Sequence, residues 1–230
     1  MPLQVMPIRD FVVLLDLDGT LVDSRPGIVA SLHAALRELG HAPDPALDLT
    51  FFIGPPITDA IAMLLRHYGD DRVELGVTTY RAHYGAMGIF DSHVYPGIAE
   101  AVAALRSAGY RLFVATSKLT VFARAILQRL GLADAMTGIY GSEPGGVLDR
   151  KDALIAHVLA REGIHPERTI MVGDRREDIA GAHANQVRAV GVLWGYGSPA
   201  ELREAGAAVL VAEPRELASA VGALIGGDLA

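Results

Sequence analysis

Two aspartates, Asp16 and Asp18, end a short apolar run near the start of the chain. The four residues before them are valine and leucine, a composition typical of a buried strand in a parallel sheet. Because side chains alternate along a strand, the two carboxylates point the same way. Two carboxylates this close raise each other's proton affinity unless a cation lies between them. The pair therefore favours a divalent metal together with acid–base chemistry.

The residues that follow allow a purely structural alternative. Gly19 permits a sharp turn and Thr20 adds a hydroxyl beside it. Asp18 or Thr20 would then only cap the next helix at a polar strand end. The ends of the other strands decide between the two interpretations, because ligands of an open parallel sheet bind at the carboxyl ends of its strands.

Polar residues also mark the other strand ends and one helix start of the predicted sheet. They are Thr116, Ser117, Lys118, Lys151, Asp174 and Asp178. Only two of the 20 basic side chains are lysines, and both belong to this set. A compact ammonium serves where the guanidinium fork of arginine does not fit. The pattern therefore predicts a site for a metal and an anionic ligand at one edge of the sheet.

Strands and helices alternate over residues 97–225, which predicts an α/β fold: a Rossmann-like parallel sheet sandwiched by helices. The stretch from 23 to 95 differs, because it contains three amphipathic helical patterns and no confident strand. Ser24 is the expected N-cap of the first of these helices. We therefore predict an α/β core built from residues 1–22 and 96–230, with 23–95 inserted as a separate α-helical domain.

Composition excludes several classes of protein. The net charge of −7 argues against a protein that coats DNA or RNA, which needs a basic face. The chain has no cysteine, so disulfides, thiolate catalysis and zinc–thiolate sites are excluded. No P-loop motif, no signal peptide over residues 1–10 and no apolar run of membrane-spanning length is visible. We expect a cytoplasmic monomer or homodimer that binds a small molecule, not a nucleic-acid polymer or a membrane.

Four motifs in order carry a resemblance that covers nearly the whole chain. They are Asp16-x-Asp18-Gly19-Thr20, the strand ending in Thr116, Lys151 before its helix, and Gly173-Asp174-x-x-x-Asp178. Together they resemble the haloacid dehalogenase (HAD) superfamily, specifically its phosphatase branch. The segment 23–95 is similar to the cap domain that many members insert after the first motif. A Gly-Pro-Pro turn at 54–56 and a Gly-Asp-Arg at 173–175 are similar to those of phosphoglycolate phosphatase-like proteins.

The resemblance implies a Mg²⁺-dependent phosphomonoesterase. Asp16 would attack phosphorus and form an aspartyl phosphate. Asp18 would protonate the leaving oxygen and then take a proton from the hydrolytic water. Mg²⁺ would be held by Asp16, the backbone carbonyl of Asp18 and Asp174, with Asp178 behind them. Whether Asp178 or Glu177 is the closer acidic partner stays open.

The remaining site residues are implied to bind the substrate. Thr116 and nearby backbone amides would hydrogen-bond the phosphoryl group, and Lys151 would offset its charge and that of Asp16. The further substrate-binding candidates are Gly19, Thr20, Ser117, Lys118 and Arg25.

The resemblance also implies a small phosphorylated metabolite as the substrate, with phosphoglycolate as the first candidate. Its carboxylate suits a cap arginine, and the cap offers Arg25, Arg66, Arg72 and Arg81. A nucleoside 5′-monophosphate is the alternative and would need an aromatic face, such as an outward-facing Phe51-Phe52 pair. Periodicity instead favours the bundle core for four of the cap aromatics, Phe51, Phe52, Tyr80 and Tyr84.

Single residues argue for or against the other activities of the superfamily. Dehalogenases lack the second aspartate of the first motif, so Asp18 argues against them. Phosphonatases use a cap lysine, and 23–95 contains none. A sugar phosphomutase shares all four motifs and stays open. A catalytically silent scaffold or sensor would need a broken motif, and none is found.

Overall fold

The computed structural model describes residues 11–226, and residues 1–10, where we predict no signal peptide, lie outside that range. The strands are β1 (Val12–Leu15), β2 (Val22–Asp23), β3 (His93–Val94), β4 (Arg111–Leu119), β5 (Gly138–Ser142), β6 (Thr169–Gly173), β7 (Arg188–Val192) and β8 (Val209–Val211). The helices are α1 (Arg25–Glu38), α2 (Ile57–His67), α3 (Val73–Ala86), α4 (Ile98–Ser107), α5 (Thr120–Arg129), α6 (Lys151–Glu162), α7 (Arg176–Ala184), α8 (Pro199–Glu204) and α9 (Leu217–Gly226). No helix within 11–226 combines the length and apolar character needed to cross a membrane.

Six of the strands form one parallel sheet in the order β5-β4-β1-β6-β7-β8, which confirms the predicted α/β fold. The four residues of β1 are buried because helices cover both faces of the sheet. Val13 and Leu15 pack in the apolar cluster that includes α4, α5 and α9, whereas Val12 and Leu14 face α6, α7 and α8. Since β4 and β6 flank β1, the three polar strand ends lie side by side.

The helical segment 23–95 enters and leaves the core through a short two-stranded ribbon. In it, β2 and β3 are antiparallel, with Val22 opposite Val94 and Asp23 opposite His93. The expectation of no strand in this segment was therefore wrong at both of its ends. Two-residue strands carry no readable alternation, and they form here because the two chain crossings meet.

Ser24 stands at the predicted N-cap position of α1, but its side chain does not cap the helix. Its hydroxyl donates instead to Asp18 Oδ1 at 2.6 Å. The hydroxyl of Tyr196 accepts the backbone N–H groups of Ser24 and Arg25, at 2.9 and 3.1 Å. A distant tyrosine therefore satisfies the start of α1 and frees Ser24 for the site.

The second polar strand is longer than predicted. β4 continues to Leu119, and its pairing with β5 is irregular between Ala115 and Leu119. Such an irregularity re-aims the side chains within it. It places Thr116, Ser117 and Lys118 along the wall of the cavity described below.

Candidate active site

A buried lysine joins two of the predicted acids. Lys151, the first residue of α6, places Nζ 2.7 Å from Asp16 Oδ1 and 2.6 Å from Asp178 Oδ1. The same ammonium donates to the carbonyl of Ala115 at 2.7 Å. Gly181 on α7 makes this geometry possible, because a Cβ there would lie 2.6 Å from the Cβ of Lys151. One cation thus holds the end of β1 against α6 and α7.

The third acid, Asp174, is fully buried and held by two donors. The hydroxyl of Thr20 donates to its Oδ1 at 3.0 Å, and the backbone N–H of Tyr196 donates to its Oδ2 at 2.8 Å. Gly19 has φ +87° and lies against this carboxylate, where a Cβ would overlap it. The tight turn after β1 is therefore required for Asp174 to lie beside it.

Asp16, Asp174 and Asp178 each offer an oxygen within 4.8 Å of the others. Burial raises the pKa of Asp16 to about 7; the Lys151 charge opposes this rise and the Asp178 charge adds to it. Burial, then the charges of Asp178 and Asp16, raise the pKa of Asp174 well above its usual range. Buried carboxylates that repel one another fit a hard divalent cation such as Mg²⁺. Of the two acids left open, Asp178 and not Glu177 belongs to this cluster among the described residues.

Asp18 lies apart from this cluster and faces the helical segment. Its Oδ1 accepts from Ser24 and pairs with Lys118 Nζ at 2.8 Å. Lys118 also donates to the hydroxyl of Tyr84 on α3, and its ammonium lies 4.3 Å from the centre of that ring. The two aspartates of the first motif therefore have separate cationic partners. Asp16 pairs with Lys151, whereas Asp18 pairs with Lys118, which also contacts the helical segment.

A cavity lies between the sheet edge and the helical segment. Its walls include Asp16, Asp18, Thr116, Ser117 and Lys118 from the core, and Phe52, Gly54, Tyr80, Arg81 and Tyr84 from the insert. The hydroxyl of Ser117 is buried and has no hydrogen-bond partner among residues 11–226.

One predicted substrate residue lies elsewhere. The guanidinium of Arg25 points to the exposed surface, 3.9 Å from Asp48 Oδ1, and Arg25 is not among the residues that line the cavity. Its position in the first turn of α1 directs it outwards. The expectation that Phe51 packs in the bundle core was also wrong, because Phe51 is 59% exposed. Its neighbour Phe52, with Tyr80 and Tyr84, is buried as expected.

The loop after β7 contains site residues that the sequence did not single out. Trp194 Nε1 donates to the carbonyl of Thr20 at 2.9 Å, and the Tyr196 hydroxyl donates to Asp23 Oδ1 at 3.0 Å. Gly195 and Gly197 lie so close to Asp174 that a Cβ at either would overlap it. Two glycines around an aromatic residue, directly after a strand that ends at the ligand edge, were the available signal.

Arg175 connects the core to the turn at residues 53–56 of the helical segment. Its Nη1 donates to the carbonyl of Ile53, and its Nε pairs with Glu201 Oε1 at 2.9 Å. Gly54 has φ +119°, and a Cβ there would lie 2.9 Å from Arg175 Cγ. The turn thus rests directly on the arginine that follows Asp174.

Comparison with known proteins gives a consistent family. The model of the haloacid dehalogenase-like hydrolases matches residues 13–192. A 5′-nucleotidase of Pseudomonas aeruginosa is 40% identical over 193 residues, which cover 83% of this chain and 86% of that protein. A phosphoglycolate phosphatase of Neisseria meningitidis is 34% identical over 191 residues, covering 80% and 81%.

Two further similarities complete the picture. The tyrosine-protein kinase PtkA of Mycobacterium tuberculosis is 43% identical over 187 residues, covering 80% of this chain and 62% of PtkA. Among solved structures, a predicted phosphatase from Clostridium acetobutylicum superimposes with a TM-score of 0.87 at 35% identity, covering 93% of this chain and 99% of that one.

Proposed function

The chain belongs to the haloacid dehalogenase-like hydrolases, and from this premise we propose that it uses Mg²⁺ to hydrolyse the phosphomonoester of a small metabolite. Its phosphatase relatives make it a phosphoric monoester hydrolase. The observation that carries the proposal is the contact of Lys151 with both Asp16 and Asp178 beside Asp174. It gathers a fixed carboxylate, a compact cation and a set of metal-binding oxygens at one strand end.

Asp16 is the proposed nucleophile. Lys151 holds its Oδ1, which leaves the other oxygen to form a bond to phosphorus while the ester P–O bond breaks. In the second half-reaction a water oxygen bonds to phosphorus and the bond from phosphorus to Asp16 breaks. Mg²⁺ bound by Asp16, Asp174 and Asp178 would supply positive charge to the phosphoryl oxygens.

Asp18 is the proposed acid and base. Both Ser24 and Lys118 bind its Oδ1, so the other oxygen is left to exchange the proton. That oxygen gives a proton to the leaving group and later accepts one from the attacking water. The position of Asp18 at the cavity wall, on the side of the helical segment, supports this division of labour.

We propose that residues 23–95 act as a cap that selects the leaving group. Two observations support this: the chain passes between the core and the segment at the β2–β3 crossing, and the turn of the segment at 53–56 contacts Arg175. Closure of such a segment excludes water and brings its residues over the leaving group.

The chemistry of the cavity wall favours phosphoglycolate as the substrate. Arg81 lines the cavity, and a guanidinium suits the carboxylate of glycolate. A nucleoside 5′-monophosphate remains the second candidate because the Pseudomonas relative is named a 5′-nucleotidase. The exposed Phe51 is not among the described residues that line the cavity, so it offers no base-stacking face there.

Phosphate release with a panel of substrates tests the proposal. The purified protein is assayed with p-nitrophenyl phosphate, phosphoglycolate, nucleoside 5′-monophosphates and glucose 1-phosphate, in Mg²⁺ and in excess chelator. We expect Mg²⁺-dependent release, with phosphoglycolate preferred by kcat/KM. Nucleotides preferred by about tenfold, or 1.4 kcal/mol, would reverse the substrate order.

Three further outcomes of that panel are decisive. Full activity in chelator would contradict the metal site. Conversion of glucose 1-phosphate into glucose 6-phosphate without phosphate release would identify a mutase. No release from any ester would contradict the function itself. The same panel applied to Asp16→Asn should show no phosphate release. Asp91→Asn changes an exposed aspartate outside the site and serves as the matched control.

A further inference from the structure

Two cationic side chains are among the described residues that line the cavity, and they differ in how they are satisfied. Lys118, from the core, pairs with Asp18 at 2.8 Å and donates to the Tyr84 hydroxyl. Arg81, from α3, has a buried Nε with no hydrogen-bond partner in the described part of the chain. Buried polar groups are nearly always paired, so an unpaired guanidinium nitrogen on a residue that lines a cavity calls for an explanation.

The other arginines of the helical segment that we considered as substrate ligands are all accounted for elsewhere. Arg72 binds the Leu39 carbonyl at 2.7 Å and also Asp70. Arg66 donates to the carbonyl of its own helix at 3.3 Å, and Arg25 faces Asp48. Arg81 alone among these four lines the cavity. Packing, which the sequence does not display, therefore distinguishes one candidate from the rest.

The helix that carries Arg81 is fixed against the core. Tyr80 and Tyr84 are buried and their rings stack 5.5 Å apart, and Tyr84 contacts Lys118. Arg81 lies one turn from Tyr84 and so shares its side of α3. Its position relative to the acid Asp18 is therefore set by the same contacts that hold the helical segment closed.

The chemistry of this nitrogen points to a particular kind of ligand. A guanidinium binds a carboxylate through two parallel hydrogen bonds, and a buried one loses more than an exposed one if it stays unpaired. The phosphoryl group is expected beside Asp16 and Lys151, so the part of the ligand that meets α3 is the leaving group. In phosphoglycolate, the first candidate substrate, the carboxylate of the leaving group lies only two or three bonds from the ester oxygen.

We propose that Arg81 is a specificity-determining residue that binds a carboxylate on the leaving group, two or three bonds from the ester oxygen. The substrates are then phosphate esters of short hydroxy acids. This inference rests on the proposed function, which it deepens. A neutral leaving group of the same size leaves Nε unpaired and is hydrolysed less well.

A matched pair of substrates isolates the carboxylate. Phosphoglycolate and 2-hydroxyethyl phosphate have similar length, and only the first carries an anion on the leaving group. We expect the wild type to prefer phosphoglycolate by about thirtyfold or more in kcat/KM, the range for removing one partner of a buried charge pair. Arg81→Gln should abolish this preference by lowering kcat/KM for phosphoglycolate much more than kcat/KM for the neutral ester.

Two further variants control for folding and for surface charge. Arg66→Gln removes an exposed arginine of the same segment and should leave the preference unchanged. Arg81→Lys keeps the charge without the fork and should restore part of it. An equal loss for both substrates in Arg81→Gln would show a merely structural role and overturn the inference, as would a wild type without preference for the acid.

Binding separates this inference from the proposed function. Both esters are titrated into Asp16→Asn protein by calorimetry in Mg²⁺, with and without Arg81→Gln. Tighter binding of phosphoglycolate that disappears with Arg81→Gln supports the inference about Arg81. This holds even if the wild type releases no phosphate, a result that would contradict only the proposed hydrolysis. Equal binding of the two esters overturns the inference about Arg81. If the wild type still releases phosphate, the proposed phosphatase function is unaffected.

Discussion

Lys151 Nζ and Asp16 Oδ1 lie 2.7 Å apart although 135 residues separate them along the chain. Both side chains are buried, and the ammonium has Asp178 and a backbone carbonyl as its other partners. Burial opposes a charged lysine, but the two carboxylates outweigh it and raise the pKa of Lys151 above its usual range. Loss of the cation from such a cluster leaves its buried carboxylates uncompensated.

Removal of this lysine should therefore damage both stability and activity. Lys151→Met leaves two carboxylates buried without a cation, which costs about 3–5 kcal/mol of unfolding free energy. We expect kcat to fall by a factor of about 100 or more, the range for losing one stabilising group of an oxyanion. Thermal denaturation and steady-state kinetics with p-nitrophenyl phosphate measure the two effects.

The neighbouring Arg150 provides the control for that experiment. Its side chain is 70% exposed, so Arg150→Met should leave both quantities close to wild type. A kcat for Lys151→Met within about threefold of wild type would show that this ammonium has no part in the reaction.

The raised pKa of Asp16 predicts how the metal-free protein responds to pH. Because the folded pKa, about 7, lies above the ordinary value of 3.8, the folded state binds the proton more tightly than the unfolded state. The stability that Asp16 contributes is therefore present below pH 4 and is lost as the pH rises towards 7 and beyond. In chelator, Asp16→Asn should unfold at a higher temperature than wild type at pH 8, and this difference should shrink towards pH 4.

Addition of Mg²⁺ should make the wild type unfold at a higher temperature than Asp16→Asn, because the wild type keeps a carboxylate ligand for the metal that the variant lacks. At about 1.4 kcal/mol for each pKa unit, even a modest shift is measurable by thermal denaturation. A variant less stable than wild type in chelator at pH 8 would contradict the repulsion among these carboxylates.

Arg175 should control how tightly the turn at 53–56 stays on the core. Arg175→Gln removes the donor to the Ile53 carbonyl and the partner of Glu201. We expect backbone amides of 49–56 to exchange hydrogen faster, while those of β1 keep their protection. Hydrogen exchange followed by mass spectrometry measures both regions at once.

The adjacent exposed arginine gives the matched control for this variant, and Arg176→Gln should leave exchange at 49–56 unchanged. Equal exchange in Arg175→Gln and wild type would mean that other contacts hold the turn. Faster exchange in β1 as well would indicate global destabilisation instead of a local tether.

The sequence predicted the parts of the site that depend on strand ends. Asp16 and Asp174 follow buried strands and Thr116 lies near the end of one, and parallel strands bring their ends to one edge of the sheet. The two lysines were visible because the chain otherwise uses arginine. These features are local in sequence, so the motif order was enough to find them.

The features that the sequence did not predict depend on long-range packing. The choice of Arg81 over Arg25 as a cavity residue follows from how the helical segment docks on the core. The role of Tyr196 depends on hydrogen bonds to Asp23 and Asp174, each more than 20 residues away. The β2–β3 ribbon is too short to carry a pattern of its own.

Acid quench of the working enzyme tests the central claim most directly. The protein is mixed with excess phosphoglycolate and Mg²⁺, quenched in acid within the first turnovers, digested and analysed by mass spectrometry. We predict one added phosphoryl group on the peptide that contains Asp16 and none in Asp16→Asn. Phosphate release with the phosphoryl group on another residue, or undiminished turnover by Asp16→Asn, would contradict the account.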